Sequence, residues 1–389
     1  MLEKKVPDEK MKICFIAPSF HWVGGGSETI VYWFARELGA CHEVTVLCGA
    51  PLKRSRPLHE KDVSFERLTL ASFSRDSFWV NAIAKIGRMG LYDAESYLFF
   101  LSFLCSEKAR KHLEEMDVVS VHSYRDSLLF SPYLKKKGIP TVFHAPGIRS
   151  EDFFMRDRSC FYVANSQTTK GLIETTFNDR KIDGVVTPGV SPLFFTATQG
   201  SSQRRDDLSL IYVGRLSPEK GVSHLPEIFE GVTKKHPKVT LTIVGDGPER
   251  KRLEEQFREK GLFGKVSFTG QLEYEALPET YRKATLLVHC SEKESFGMTV
   301  LEAMVTGLPV VASDLPAIRE VTEGKAILIA PDDLSKWVVE IDRLLRNETL
   351  RKNLGEAGKG VAQKYLWSDK AQEYETYLRN ACEWRKREG

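Results

Sequence analysis

The seven cysteines, Cys14, Cys41, Cys48, Cys105, Cys160, Cys290 and Cys382, contain no CxxC pair. Their odd number and wide scatter exclude a disulfide framework and a cysteine-held zinc site, and fit thiols kept reduced in a cytosol. Long apolar runs are missing too. The longest, YLFFLSFLC at 97–105, falls well short of the roughly 20 residues that span a bilayer. The N-terminal MLEKKVPDEKMK has no apolar segment of the kind a secretory leader needs. The expected location is therefore cytoplasmic, either free or against the inner face of the membrane. Charge of one sign is scarce as well. The 56 Lys and Arg face 53 Asp and Glu, and the net charge of +3 arises within residues 1–190, which hold 26 basic and 23 acidic residues. This balance excludes a strongly basic nucleic-acid-binding domain, so no nucleic-acid partner is expected. The local runs LKRSR (52–56) and KKK (135–137) read as solvated faces, with contact to an anionic surface as the other reading. No short repeat recurs along the chain.

What is present is a regular alternation. The 389 residues, 42 % hydrophobic and 28 % charged, suit two domains of ordinary size. Short β-rich runs at 12–18, 43–48, 63–68, 117–122, 140–144 and 161–165 alternate with helical stretches. A second series follows at 208–214, 239–245, 265–270, 285–290, 308–313 and 326–330. Such alternation predicts α/β architecture with parallel sheets covered by helices on both faces. The polar TATQGSSQRRDD (196–207) reads as a linker. The expected division is an N-terminal domain over 1–195, a linker over 196–207, and a C-terminal domain over 208–365. A long amphipathic helix over 366–389 would complete the N-terminal domain. YLFFLSFLC reads as a core helix, with peripheral attachment to a lipid surface as the alternative.

The polar and glycine-rich features follow the strands, where open α/β sheets bind ligands. HWVGGGSE (21–28) follows the first strand, and His122 and His144 end the fourth and fifth. Glycines ahead of a helix let backbone N–H groups approach an anion. GGGSE lacks the third small residue of a dinucleotide fingerprint, because position 29 is Thr29, and no acidic residue ends the second strand; this disfavours NAD. In the second series GRLSPEKG (214–221) places Arg215 and Lys220 after a strand, a pairing suited to a diphosphate. The glycines Gly245 and Gly247 of IVGDGPE allow a planar base to lie on backbone. In KESFGMTVLEAM (293–304) a helix starting near Gly297 exposes the N–H groups of Met298, Thr299 and Val300 to an anion. Glu302, one turn in, can accept hydrogen bonds from a vicinal diol such as ribose, and Glu294 can accept them from hydroxyls on the other side of the anion. A diphosphate flanked by two polyols is a nucleotide sugar.

With ESFGMTVLE, VGRLSPEKG, IVGDGPER, LPVVAS and YLWSDKAQEY in this order, the chain resembles the retaining glycosyltransferases of family 4. The likeness is dense over roughly residues 208–375 and looser in GGGSE, DVVSVHSY and PTVFHAPG. The sequence departs in carrying Cys290-Ser291 where the family often has Pro-Ser, and TPGVS (187–191) at the domain junction. The resemblance implies the GT-B fold: two Rossmann-like, doubly wound domains facing across a cleft, with the C-terminal helix crossing back to the N-terminal domain. It implies that Arg215 and Lys220 hold the donor diphosphate with Gly25, Gly26 and Thr299. It assigns the donor sugar to Glu294 and the backbone of Phe296, Gly297 and Met298, the ribose to Glu302, and a base-proximal turn to Gly245. His144 would stand beside the sugar at the reaction centre, with His122 as the competing candidate. The catalytic set implied is His144, Glu294, Arg215 and Lys220. The activity implied is transfer of a hexose from a UDP-sugar or GDP-mannose to a lipid-linked or saccharide hydroxyl, with retention and with neither metal nor cofactor. A nucleotide-sugar epimerase and a catalytically silent sugar-nucleotide binder are the alternatives.

Overall fold

The computed structural model describes residues 9–18, 20, 26–49, 66–70, 91–146, 160–177, 181–196 and 208–388. The expected linker falls outside them from residue 197 on, as do Gly25 and the LKRSR run.

Contacts divide the chain into two units, Met1–Pro188 with Trp367–Gly389, and Gly189–Leu366. The first holds a seven-stranded sheet: β1 (Lys12–Ile16), β2 (Glu43–Gly49), β3 (Glu66–Leu70), β4 (Val118–Val121), β5 (Thr141–Ala145), β6 (Phe161–Ala164) and β7 (Gly184–Val185). Its order is β3-β2-β1-β4-β5-β6-β7, and each pairing is parallel. The second holds β8 (Ser209–Val213), β9 (Thr240–Val244), β10 (Val266–Gly270), β11 (Leu286–His289), β12 (Val310–Ser313) and β13 (Ile327–Ile329) in the order β10-β9-β8-β11-β12-β13, again parallel. Central strands are buried along their length, as strands covered by helices on both faces must be. The two-residue β7 is too short to leave a periodic signal, and it was not among the expected strands.

The sequence put the domain boundary at 195, whereas the contacts put it between Pro188 and Gly189. The reason is apolar. Val190 and Phe194 are fully buried in the second unit, where the Val190 N–H donates to Tyr365 O at 2.7 Å and Phe194 packs on Tyr274 and Tyr281.

The C-terminal helix Trp367–Glu388 belongs to the first unit. Trp367, Ala371, Tyr374, Leu378 and Ala381 recur at helical spacing and are buried. They lie against the helix Gly26–Gly39 and the sheet: Trp33 stacks on Trp367 with centroids 6.1 Å apart, and Phe34 on Tyr374 at 4.5 Å. Gly184 is required there, since a Cβ at that position would stand 2.0 Å from the Tyr377 ring. YLFFLSFLC ends the helix Leu91–Cys105, which buries Phe99 and Phe103 and leaves Tyr97, Leu101 and Leu104 exposed. Among the described residues no helix is long and apolar enough to cross a membrane.

Candidate functional site

In the second sheet the winding direction reverses between β8 and β11. The loops leaving these strands diverge there, and the crevice at their carboxyl ends is where an open α/β sheet binds ligand. Lys220 comes from the loop after β8 and Glu294 from the loop after β11. They meet at that point, with Lys220 Nζ 2.6 Å from Glu294 Oε1. Gly221, at φ +59, makes the approach possible, because a Cβ there would lie 1.9 Å from Cys290 O.

Glu294 Oε1 is crowded. Ser291 Oγ donates to it at 2.9 Å, and His289 Nε2 lies 3.1 Å away, within reach but with its N–H direction missing the oxygen. The His289 Nδ1 stands 3.4 Å from Thr299 Oγ1. No described residue donates a hydrogen bond to the second oxygen, Oε2. Burial pushes the Glu294 carboxyl up, but the His289 ring and the Lys220 ammonium outweigh it and hold it down at about 2. Glu294 is therefore a committed anion at neutral pH.

Glu302 is the opposite case. It is buried in the helix Met298–Val305, where Tyr281 Oη donates to Oε2 at 3.0 Å. Burial pushes its carboxyl up to about 7, and the Tyr281 and Tyr274 hydroxyls offset only part of that. Two glutamates eight positions apart thus sit in opposite electrostatic environments. Environments that drive two carboxyls apart in this way suit them to different tasks.

Between them the helix begins at Gly297, which has φ +103 and no side-chain cap. The Val300 and Leu301 N–H groups donate to Gly297 O, which leaves those of Met298 and Thr299 without an intrahelical acceptor. Phe296 anchors this turn by burying its ring against Tyr365. Arg215 is exposed in the loop after β8, where its carbonyl accepts from Tyr212 Oη at 3.1 Å. The Gly245 turn, at φ +127, lies so close to Gly214 that a Cβ would be 1.9 Å from its carbonyl oxygen. Among the described residues no group of three or more His, Cys, Asp or Glu is placed to hold a metal ion.

In the first unit Gly26 opens the helix Gly26–Gly39. His144 and His122 are neighbours in the core, with ring centroids 4.9 Å apart. His144 is fully buried, with Nε2 3.0 Å from Val186 O and its ring edge-on to Phe34 and Tyr374. His122 Nε2 lies 2.9 Å from Ser120 Oγ, which in turn lies 2.6 Å from Tyr374 Oη. Neither Nδ1 has a hydrogen-bond partner. Burial lowers both rings, His144 to about 4 and His122 well below the usual histidine range. Both are neutral core residues in this structure.

Known proteins resemble this chain in sequence and in fold. Residues 196–361, nearly all of the second unit, match the family model of the glycosyl transferases group 1. The likeness to that family therefore runs through nearly the whole of the second unit. An uncharacterised glycosyltransferase of Methanocaldococcus jannaschii is 25 % identical over 71 % of this chain and 80 % of its own length. A phosphatidyl-myo-inositol mannosyltransferase of Mycobacterium leprae is 34 % identical over 44 % of this chain, which spans only 46 % of that relative. The solved structure of Anabaena HepE in complex with UDP-glucose superposes with a TM-score of 0.75, covering 95 % of this chain and 100 % of that one at 19 % identity. The fold is GT-B.

The second unit gathers Lys220, Glu294, Gly297, Met298, Thr299 and Glu302 around one helix start, and Arg215 and Gly245 lie on neighbouring loops. Sequence reading missed His289, Ser291, Tyr274 and Tyr281. His289 ends β11, much as His122 follows β4 and His144 lies one residue from the end of β5, and that signal could have raised it. The tyrosines carried none, because only folding brings them to Glu302.

Proposed function

We propose that this glycosyltransferase moves a hexose from a UDP-sugar or GDP-mannose to a saccharide or lipid-linked hydroxyl, with retention and without a metal ion. The observation that carries the reading is the meeting of Lys220 and Glu294 beside the uncapped start of the helix Met298–Val305. An anion there gains from the helix dipole and from two free N–H groups. Arg215, Lys220 and Thr299 would stabilise the charge that develops on the departing diphosphate, with Gly25 and Gly26 contributing backbone N–H groups. Glu294 Oε2 faces hydroxyls of the transferred sugar, and Glu302 receives the ribose diol. The base rests near Gly245. With no carboxylate nucleophile assigned, the acceptor hydroxyl attacks on the leaving-group face and passes its proton to a phosphate oxygen. UDP-glucose in the superposed HepE structure supports a nucleotide-sugar donor. His144 belongs to the proposal as the residue beside the transferred sugar, and to act there its ring must release Val186.

The acceptor side rests on less. The exposed Tyr97, Leu101 and Leu104, followed in sequence by Lys108, Arg110 and Lys111, suit peripheral contact with an anionic lipid surface. The mannosyltransferase relative named for a phosphatidylinositol supports a lipid-linked acceptor.

The test is a thermal-shift screen of nucleotide sugars, because a ligand that binds only the folded state raises its melting temperature. Each hit is then followed by NMR for the anomer formed. A donor that stabilises the protein and yields an α-linked product from an α-donor upholds the reading. An inverted product removes retention, and no response to any UDP- or GDP-sugar removes the donor assignment. Epimerised donor in the absence of acceptor would favour the epimerase.

A further inference from the structure

His289 is nearly fully buried, and its Nε2 has no aligned hydrogen-bond partner. An unmade hydrogen bond at a buried donor is costly, and it persists where another state uses it. The acceptor within reach is Glu294 Oε1 at 3.1 Å, which Lys220 already occupies at 2.6 Å. On the reading above, a donor diphosphate draws Lys220 away from that oxygen. Glu294 would then lose its shortest contact at the moment its other oxygen must meet the sugar.

We propose that His289 is the positioning residue that takes over Glu294 Oε1 when Lys220 turns to the diphosphate. The chemistry is consistent at both ring nitrogens. The Thr299 hydroxyl, 3.4 Å from Nδ1, can donate to it, and this places the ring proton on Nε2, facing the carboxylate. A small rotation of the ring aligns that N–H with Oε1. Ser291 Oγ, at 2.9 Å, remains as the second donor. The bond that orients the sugar-binding carboxylate thus passes from a cation that the ligand recruits to a ring N–H that it does not. Thr299 sits in the first turn of the same helix whose N–H groups face the diphosphate, so the ring ties Glu294 to the anion-binding turn. His289 touches neither sugar nor phosphate.

This inference rests on the nucleotide-sugar reading and makes a separable prediction. Binding of UDP-glucose and of UDP is measured by calorimetry on the whole protein and on His289→Leu, His289→Gln and His289→Asn, with GDP-mannose and GDP as the parallel pair. His289→Leu is expected to weaken binding of the nucleotide sugar by about 10- to 100-fold, the usual worth of a hydrogen bond to a charged group, and to leave UDP within about twofold. Gln, whose amide reaches the place of Nε2, restores most of the loss, and the shorter Asn does not. Equal losses for UDP-glucose and UDP, or none for either, would overturn the hand-over. Should the Leu variant fail to fold, the Gln and Asn pair carries the same comparison. A wild-type protein that binds neither nucleotide sugar overturns the donor assignment itself and the inference with it.

Discussion

Lys220 and Glu294 neutralise each other at 2.6 Å until an anion competes for the lysine. Removing Lys220 strands a buried carboxylate and deletes the charge proposed to stabilise the leaving group. Lys220→Ala is expected to lower kcat for sugar transfer by about 10²–10³, the usual worth of one group stabilising developing charge. Full activity in that variant would remove Lys220 from the mechanism. Glu302 gives a prediction of opposite character. Its folded carboxyl lies at about 7, above its ordinary 4.5, so the folded state holds the proton more tightly than the unfolded chain does. Stability from this group is present below about pH 4.5 and is lost as pH rises through about 7. Glu302→Gln, which cannot ionise, should therefore raise the melting temperature at pH 8, where the penalty is about 3 kcal/mol, and leave it nearly unchanged at pH 4.5. The same substitution should weaken binding of a nucleotide carrying ribose. Equal melting-temperature changes at both pH values would refute the assigned environment.

Among the elements, the helix Met298–Val305 depends on the glycine before it. Gly297 holds φ +103, and a Cβ there would meet Ile318 Cδ1 at 2.6 Å. Gly297→Val should cost about 2–4 kcal/mol in urea unfolding, through backbone strain and overpacking together. It should also weaken nucleoside diphosphate binding, because the N–H groups of Met298 and Thr299 would be displaced. The C-terminal helix is a second dependency. Deleting residues 367–389 uncovers Trp33 and Phe34 and leaves Ser120 without Tyr374. The truncated chain should expose apolar surface, read as strong binding of a hydrophobic dye at neutral pH. A truncated chain with the wild-type melting temperature would show that the first unit does not need its last helix.

At the scale of the whole molecule, two buried neutral histidines set an acid limit. His144, held at about 4, and His122, lower still, stay uncharged when folded, while in the unfolded chain they take protons below about 6.5. Their contribution to stability is complete above that pH and is lost as pH falls through about 4. The melting temperature should decline across that window, and His122→Phe should flatten the decline. Transfer activity should survive EDTA, since Arg215, Lys220 and the helix start are assigned the charge that a metal would otherwise carry. Loss of activity in EDTA that Mg²⁺ restores would contradict this.

Some of this was legible in the chain and some was not, for reasons visible in single residues. Both sheets could be read as alternating elements, because each strand is a local run of β-forming apolar residues. Glu294, Gly297 and Glu302 could be read as one site, because they fall within one turn of a helix start. That the two glutamates differ in charge could not be read there. Lys220 lies 74 positions from Glu294, and Tyr281 lies 21 from Glu302. Nor could the sealed position of His144, which depends on Phe34 and Tyr374 far to either side in sequence. The domain boundary shifted for the same reason, since only packing reveals that Val190 and Phe194 side with the second unit. Local propensity and spacing therefore determined the elements, their alternation and the run of residues at the candidate site. Strand order, burial and protonation were decided by tertiary structure, because desolvation and Coulomb energy depend on distances that folding alone brings within a few ångströms.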